Sequence, residues 1–481
     1  MRVLGRHRSR TVTNARWLWA IVSAAVALRL GAALYLGNDI ALLPGTADQL
    51  SYHSLALRVL EGQGFSFGTG WWPATSPDQP TAHWSYLYVL FLSAVYGVVG
   101  PHAVAARIIQ AIVAGVLQPL LTFVIARRLF GRRVALASAF IVAGYAYFVY
   151  YAGALMTESF FIVALLWSLD SAMRLGTVDS SCAKPQRLWR WLNLGLALAV
   201  ATLLRQAILV CVPMILGWVA WRESARWRGG APRVRRAALA SLARGLGATL
   251  LIMALCILPW TIRNYRAFHE FVLLNTNAGF AFYWGNHPIH GNTFIPILPG
   301  DGSRYGTLVP DDLRSLNEAQ MDRALLGRGL QLVADEPWRY VRLSISRGRE
   351  YLKFWPSSDS GTLSNVARVA SFGLCAPFML VGLYLGVRKS VPGGSPREQT
   401  RRAYMRLVLS VALVYSLVHV LTWTLVRYRL PIDALLLPFA AVPMVCLVDR
   451  FARRPRSSRE SVFAAGRPSS TGPEPSAGLS S

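Results

Sequence analysis

The sequence predicts an all-α polytopic membrane protein with about ten or more transmembrane helices and two large extracytoplasmic segments. Three observations lead there. Of 481 residues 54% are apolar and the mean hydropathy is +0.37, well above what a soluble domain with a polar surface shows. The apolar residues gather in runs that can span a hydrocarbon core about 30 Å thick, which takes roughly 20 helical residues, whereas a membrane β-barrel shows short alternating segments. The formal charge of +27 lies between those runs, which follows the positive-inside rule and makes the basic loops cytoplasmic. Nucleic-acid binding would need a basic patch on a folded soluble face instead.

Taken in order, the first run, 17–36, follows Arg2, Arg6, Arg8, Arg10 and Arg16 and leads outward. It is too long for a signal-peptide core and no A-x-A-like site follows, so a retained helix is expected. The stretch 37–103 is then external, with an apolar segment at 86–99 too short to cross and suited to an interfacial or re-entrant helix. Further crossings are predicted near 104–126, 134–151 and 155–172. The run 192–221 is broken by Thr202, Arg205 and Pro213 and reads as two helices meeting outside at Arg205. A helix near 242–262 leads to a second external segment, 263–364, and helices near 366–387, 405–425 and 430–448 complete ten crossings. Residues 1–450 thus form one membrane domain. The tail 451–481, rich in Ser, Pro, Gly and Arg, is expected to be disordered and cytoplasmic. Cys182, Cys211, Cys256, Cys375 and Cys446 have no metal-type spacing and read as small core residues.

The informative polar residues stand at the outer membrane boundary. Asp48, Tyr52 and Ala56 share i, i+4 spacing just beyond the first helix, which puts an acid and a phenol on one face. Asp48 is equally readable as an acid favoured by a helix N-terminus. Glu158, after Thr157, either caps its helix or faces a polar cavity. Arg205, Arg263 beside Asn264, Arg427 and Arg429 place positive charge where the charge rule disfavours it, so each needs an anion, either a lipid headgroup or a bound phosphate. The loop histidines His53, His83, His269, His287 and His290 lack metal-motif spacing; they read as solvated residues, or as partners with an acid for a divalent metal cation. Phe65, Phe67, Trp71, Trp72, Trp84, Tyr86 and Tyr88 suit an interface belt or sugar stacking.

In this order D-x-x-x-Y-x-x-x-A from Asp48, A-R-x-L-F-G near Ala126–Gly131, Thr157-Glu158, the Trp260-x-x-Arg263-Asn264-Tyr265 block, Gly285-Asn286-His287-Pro288 and the late Arg427-Tyr428-Arg429-Leu430-Pro431 resemble the GT-C membrane glycosyltransferases. The branch is that of the protein O-mannosyltransferases and lipid A aminoarabinose transferases, and the resemblance covers about 15–450. One departure is Trp84-Ser-Tyr-Leu-Tyr88, where relatives often carry Pro-Pro-Gly-Tyr-Pro. The resemblance implies a hexosyl or pentosyl transfer from a polyprenyl-phosphate donor to a protein, lipid A or other glycan or lipid acceptor. The place is the outer face of a bacterial inner membrane. It implies Asp48 as base, Glu158 as a second acid, and Tyr52, His83, Arg205, Arg263, Asn264, Arg427 and Arg429 as substrate-binding residues. Two other classes remain open: a secondary transporter, whose ionisable residues would lie nearer the membrane midplane, and a noncatalytic envelope-assembly protein.

The charge-derived topology makes a direct prediction. Cysteines introduced at Gly70 and Gly302 should react with a membrane-impermeant reagent in intact cells, and one at Gly229 only after lysis; the reverse pattern would turn both long segments toward the cytoplasm.

Overall fold

The computed structural model describes residues 2–40, 45–177, 184–225, 227, 231–298, 304–357, 361–388 and 395–452. The expectations for the tail, Cys182, Gly229 and Gly302 fall outside them. The described residues form helices and their connections, with no strand beyond two isolated bridges in the first long loop, Ser66–Pro80 and Trp71–Thr75.

The chain begins with α1 (Arg2–Leu36), followed by α2 (Asp48–Leu60), the short apolar α3 (Tyr86–Val99) and α4 (Ala103–Phe130). The run expected as one helix over 134–151 is broken. It forms α5 (Arg132–Gly144) and α6 (Ala146–Gly153), bent by 50° at Tyr145. Tyr145 leaves the helical region because its hydroxyl is drawn to Asp433, 2.7 Å away. Then come α7 (Glu158–Leu175), α8 (Lys184–Leu204), a 3₁₀ turn over Gln206–Cys211, α9 (Val212–Ser224) and α10 (Pro232–Phe268). The break between α8 and α9 falls at Arg205, whose backbone is extended. The second long segment is not a loop but a set of helices: α11 (Ala278–Asn286), α12 (Arg304–Thr307), α13 (Glu318–Asp335) and α14 (Pro337–Tyr351). The last are α15 (Thr362–Arg368), joined by a π turn to α16 (Leu374–Arg388), α17 (Pro396–Leu421) and, after a 3₁₀ turn at Val426–Arg429, α18 (Leu430–Ala452).

Seven described helices are long and apolar enough to cross a membrane, eight if α5 and α6 make one bent span. The ten crossings expected from the sequence therefore exceed the number that length and composition support. The shortfall is at α7, with Glu158, Asp170 and Arg174 in 18 residues, and at α8, which starts with Lys184, Arg187 and Arg190. Both are helices at the expected places. Lipid-facing stripes are plain elsewhere: on α10, Leu251, Leu255, Leu258 and Ile262 are exposed at helical spacing, a pattern that in water would be an aggregation site. Cys211 and Cys375 are core residues as expected, but Cys256 is half-buried at the edge of the core and Cys446 is exposed.

Small residues let the spans approach closely. A Cβ on Gly115 of α4 would sit 2.8 Å from the Val26 backbone of α1, and one on Gly382 of α16 would collide with the Phe439 carbonyl of α18. At one end of the bundle the two long segments pack together. There Phe280, Tyr283, Trp284, Tyr305, Met321 and Leu325 form a second core, with Trp72 of the first loop against it.

Helix ends in this interior leave carbonyls that need donors. Buried arginines supply them. Arg29 donates to the carbonyls of Val142 and Ala143 at the end of α5, and Arg107 to those of Leu36, Gly37 and Asp39 after α1. Arg347 reaches Val420 and Leu421 at the end of α17 and Gly285 in α11. None of the three forms an ion pair among the described residues, so the negative end of each helix dipole serves as counter-charge. Burial lowers the Arg347 pKa to about 10. Arg347→Lys keeps the charge but cannot span two helix ends with a planar fork. Each lost charged hydrogen bond contributes about 1.5–3 kcal/mol, so the variant should unfold in detergent at a clearly lower temperature; an unchanged melting point would show that the bridge is dispensable.

Candidate active site

The polar centre of the molecule lies where the first loop, the breaks before α7 and α9, and the turn before α18 meet. Glu158, the first residue of α7, is fully buried. Its Oε1 accepts from Arg205 Nη2 at 2.5 Å and lies 3.7 Å from Arg427 Nε. Arg427 in turn donates to Asp48 Oδ2 at 2.6 Å and to the Gly45 carbonyl at 3.1 Å. The sequence-predicted residues Asp48, Glu158, Arg205 and Arg427 thus form one chain of charges, acid to cation to acid to cation, drawn from parts of the chain up to 379 residues apart.

The backbone around it is fixed by its own chemistry. Thr157 precedes α7 without a side-chain cap, so Glu158 does not serve as the helix cap; its oxygens are turned to the arginines. Asp48 sits in the first turn of α2 behind Ala47, and it too meets a guanidinium rather than a helix amide. Gly45 has φ +74, and a Cβ there would meet the Tyr151 hydroxyl at 2.8 Å, so only glycine lets its carbonyl reach Arg427. Gln110 of α4 donates to the carbonyls of Tyr151, Ala152 and Ala154, which holds the extended link between α6 and α7. Tyr88 completes this amide by donating to its oxygen at 2.7 Å.

Exposure separates the two acids. The Asp48 side chain is 26% accessible and Glu158 0%. Glu158 Oε2 has no hydrogen-bond partner among the described residues. With two arginines against it, the buried carboxylate anchors both cations, while Asp48 faces outward. Tyr52 is buried edge-on between Trp84 and Tyr88, 5.5 and 4.9 Å away, and burial raises its pKa. It packs one face of the site. His83 places Nδ1 2.9 Å from the Thr276 carbonyl, which only a protonated Nδ1 satisfies, so the neutral ring leaves Nε2 as an acceptor. Burial lowers its pKa, partly offset by Glu318 and Asp48.

Three other predicted residues are occupied elsewhere. Arg263 donates to the carbonyls of Thr81 and Phe65 and to the Tyr86 hydroxyl. Asn264 accepts from Tyr86 and donates to the carbonyls of Val272 and Leu274. Both tie the first loop to the end of α10. Arg429 is 1% accessible, paired with Asp433 at 3.1 Å, and donates to the carbonyls of Tyr351 and Lys353 at the end of α14. Sequence reasoning missed Asp433, although its i, i+4 spacing from Arg429 is a readable signal. It also missed Glu318, which accepts from the Ala82 amide, Thr75 and Thr276 and so fastens the first loop to α13. Nothing local distinguishes that acid.

The donor set does not fit a resident metal. Among the described residues no three His, Cys, Asp or Glu side chains converge. The carboxylates of the site are paired with arginine, His290 bonds the Trp284 carbonyl and the Ile295 amide, and His53 bonds Tyr96.

The comparisons with known proteins bear on the fold and the family. The class comes from the fold. The chain superposes on the archaeal oligosaccharyltransferase AglB from Archaeoglobus fulgidus, solved with an inhibitory peptide and a dolichol-phosphate, with a TM-score of 0.54 at 15% identity. That match covers 93% of this chain and 53% of the other; the apo form gives 0.55 at 16%, covering 94% and 54%. This chain therefore spans about half the length of those enzymes and has the GT-C fold. ArnT from Cupriavidus metallidurans bound to undecaprenyl phosphate is similar at 14% identity and a TM-score of 0.39, over 91% of this chain and 79% of that one. More particularly, residues 83–260 match the family model of dolichyl-phosphate-mannose-protein mannosyltransferase. That stretch holds His83, Glu158 and Arg205 but neither Asp48 nor Arg427. No curated protein sequence matches.

The two acids should respond differently to neutralisation. Glu158→Gln leaves two buried guanidinia without their shared counter-charge, and breaking a buried pair costs about 3–5 kcal/mol. It should lower detergent stability sharply, whereas Asp48→Asn should hardly change it; equal melting temperatures for both variants would mean that Glu158 does not anchor the arginines.

Proposed function

We propose that this protein is a membrane glycosyltransferase. It takes a sugar from a polyprenyl-phosphate donor and passes it to a hydroxyl acceptor on a protein, lipid A or another envelope glycan, at the extracytoplasmic face of a bacterial inner membrane. The observation that carries the reading is the accessible Asp48 carboxylate held against Arg427, itself fixed with Arg205 by the buried Glu158. The fold and the family model support it.

The chemistry follows from charge. A sugar phosphodiester leaves as a phosphate monoester, so one further negative charge appears on the phosphate as the bond to the anomeric carbon breaks. Preorganised cations stabilise that charge without reorganisation, and Arg427 and Arg205 are such cations. The departing phosphate then needs no proton, and the one group to be activated is the acceptor hydroxyl. Asp48 takes its proton while the oxygen attacks the anomeric carbon from the face opposite the phosphate, inverting it. At rest Arg427 occupies the Asp48 oxygen. A donor phosphate competes for the same guanidinium, so donor binding frees the carboxylate to accept a proton. The buried tyrosine and tryptophan rings beside Asp48 form a rigid apolar wall behind it.

Asp48→Asn keeps shape and polarity but cannot accept a proton. It should lower sugar transfer by about two to four orders of magnitude, the range for a lost general base, with expression and detergent stability retained. Assaying transfer from a polyprenyl-phosphate sugar in proteoliposomes checks this, and a stable variant with full activity would remove Asp48 from the base role.

A further inference from the structure

At the end of the bundle away from Asp48, a cavity of about 430 Å³ opens between α4 and α17. It is lined by Arg128, Pro396, Arg397, Thr400, Arg401 and Tyr404. The 28 residues of α4 separate this end from the site end, about 40 Å along a helix. The cavity is therefore distinct from the proposed transfer site.

Among the described residues two of its three cations, Arg397 and Arg401, are without a carboxylate partner. Arg397, Thr400, Arg401 and Tyr404 recur at i, i+3, i+4 and i+7, which puts them on one stripe of α17. The acids nearby are already engaged. Asp170 is held by Arg128 at 2.8 Å and by Arg174 at 2.6 Å, and Glu398 folds back onto the Ser395 amide in a capping box. The guanidinium of Arg401 lies over the Phe130 ring, 5.6 Å from its centroid, and Arg406 lies over Trp221 at 5.9 Å. From the opposite wall Arg222 donates to the Thr400 hydroxyl. Arginines thus gather at the end of membrane-crossing helices, within reach of an anionic lipid headgroup.

We infer that this cavity binds the phosphate headgroup of one anionic membrane lipid, with Arg397 and Arg401 as its ligands and Arg128 behind them. The headgroup phosphate supplies the counter-charge that Arg397 and Arg401 lack among the described residues.

The test uses the full chain in mixed micelles containing phosphatidylglycerol or phosphatidylcholine, read by native mass spectrometry. The wild type should retain one phosphatidylglycerol and no phosphatidylcholine. Arg397→Ala/Arg401→Ala should cut that retention about tenfold, as expected for losing charge-assisted contacts. Arg397→Glu, at an exposed position where folding is not at stake, should do the same. Equal retention of both lipids, or retention unchanged in Arg397→Glu, would overturn the site. Displacement of the lipid by millimolar inorganic phosphate would assign the cavity to a free anion and overturn the lipid reading.

Discussion

The constraint on which the rest of the structure depends is that helices ending inside the protein must have their last carbonyls satisfied. In a buried interior each orphan carbonyl costs about 1–3 kcal/mol. This chain meets the requirement with guanidinium groups. Arg29, Arg107, Arg347 and Arg429 each bridge a helix end to a neighbouring element. Of 50 basic residues only Lys184, Lys353 and Lys389 are lysines, and a planar fork with five donors explains the preference at the bridging sites. Through these bridges the α5–α6 break, the turn after α1 and the link between α17 and α18 are held as fixed corners.

The same side chain serves structure or site according to what faces it. Arg263 and Arg429 look like Arg205 and Arg427 in sequence, since all four stand at outer helix ends. Their donors go to loop and helix carbonyls and, for Arg429, to the fully buried Asp433. Arg205 and Arg427 instead share Glu158, and Arg427 also holds an acid that water reaches. An arginine facing carbonyls is neutralised by fixed dipoles, while one facing a mobile or exchangeable anion can trade partners.

Much of this was legible beforehand for physical reasons. The break at Arg205 followed from a cation and a proline interrupting an apolar run, and the short α3 followed from length alone. That Arg205 and Arg427 need an anion could be expected because charge outside a basic loop demands a partner; that Glu158 and Asp48 supply it here depends on contacts between distant parts of the chain. The bend at Tyr145 was not legible, since it depends on Asp433, 288 residues away. Nor was the role of Glu318, which binds groups more than 200 residues before it. The two expected crossings that length and composition do not single out have a related origin: α7 has the length of a span, but its charges depend on partners such as Arg128, which periodicity does not reveal.

Charge balance gives the arrangement of four residues its sense in the proposed reaction. At rest Asp48 and Glu158 cancel Arg205 and Arg427. A bound phosphodiester makes the cluster −1, and breaking its bond to the sugar would make it −2 unless a proton arrived. The proton moved from the acceptor hydroxyl to Asp48 returns it to −1. Total charge is then the same before and after transfer. In a poorly solvated site, where creating a net charge is far costlier than in water, a base within the same salt-bridge chain as the phosphate-binding arginines lets proton and negative charge move in concert. A base placed beyond the reach of Arg427 would separate them. The 2.6 Å contact between Asp48 and Arg427 is therefore the resting form of the electrostatic link that the reaction uses.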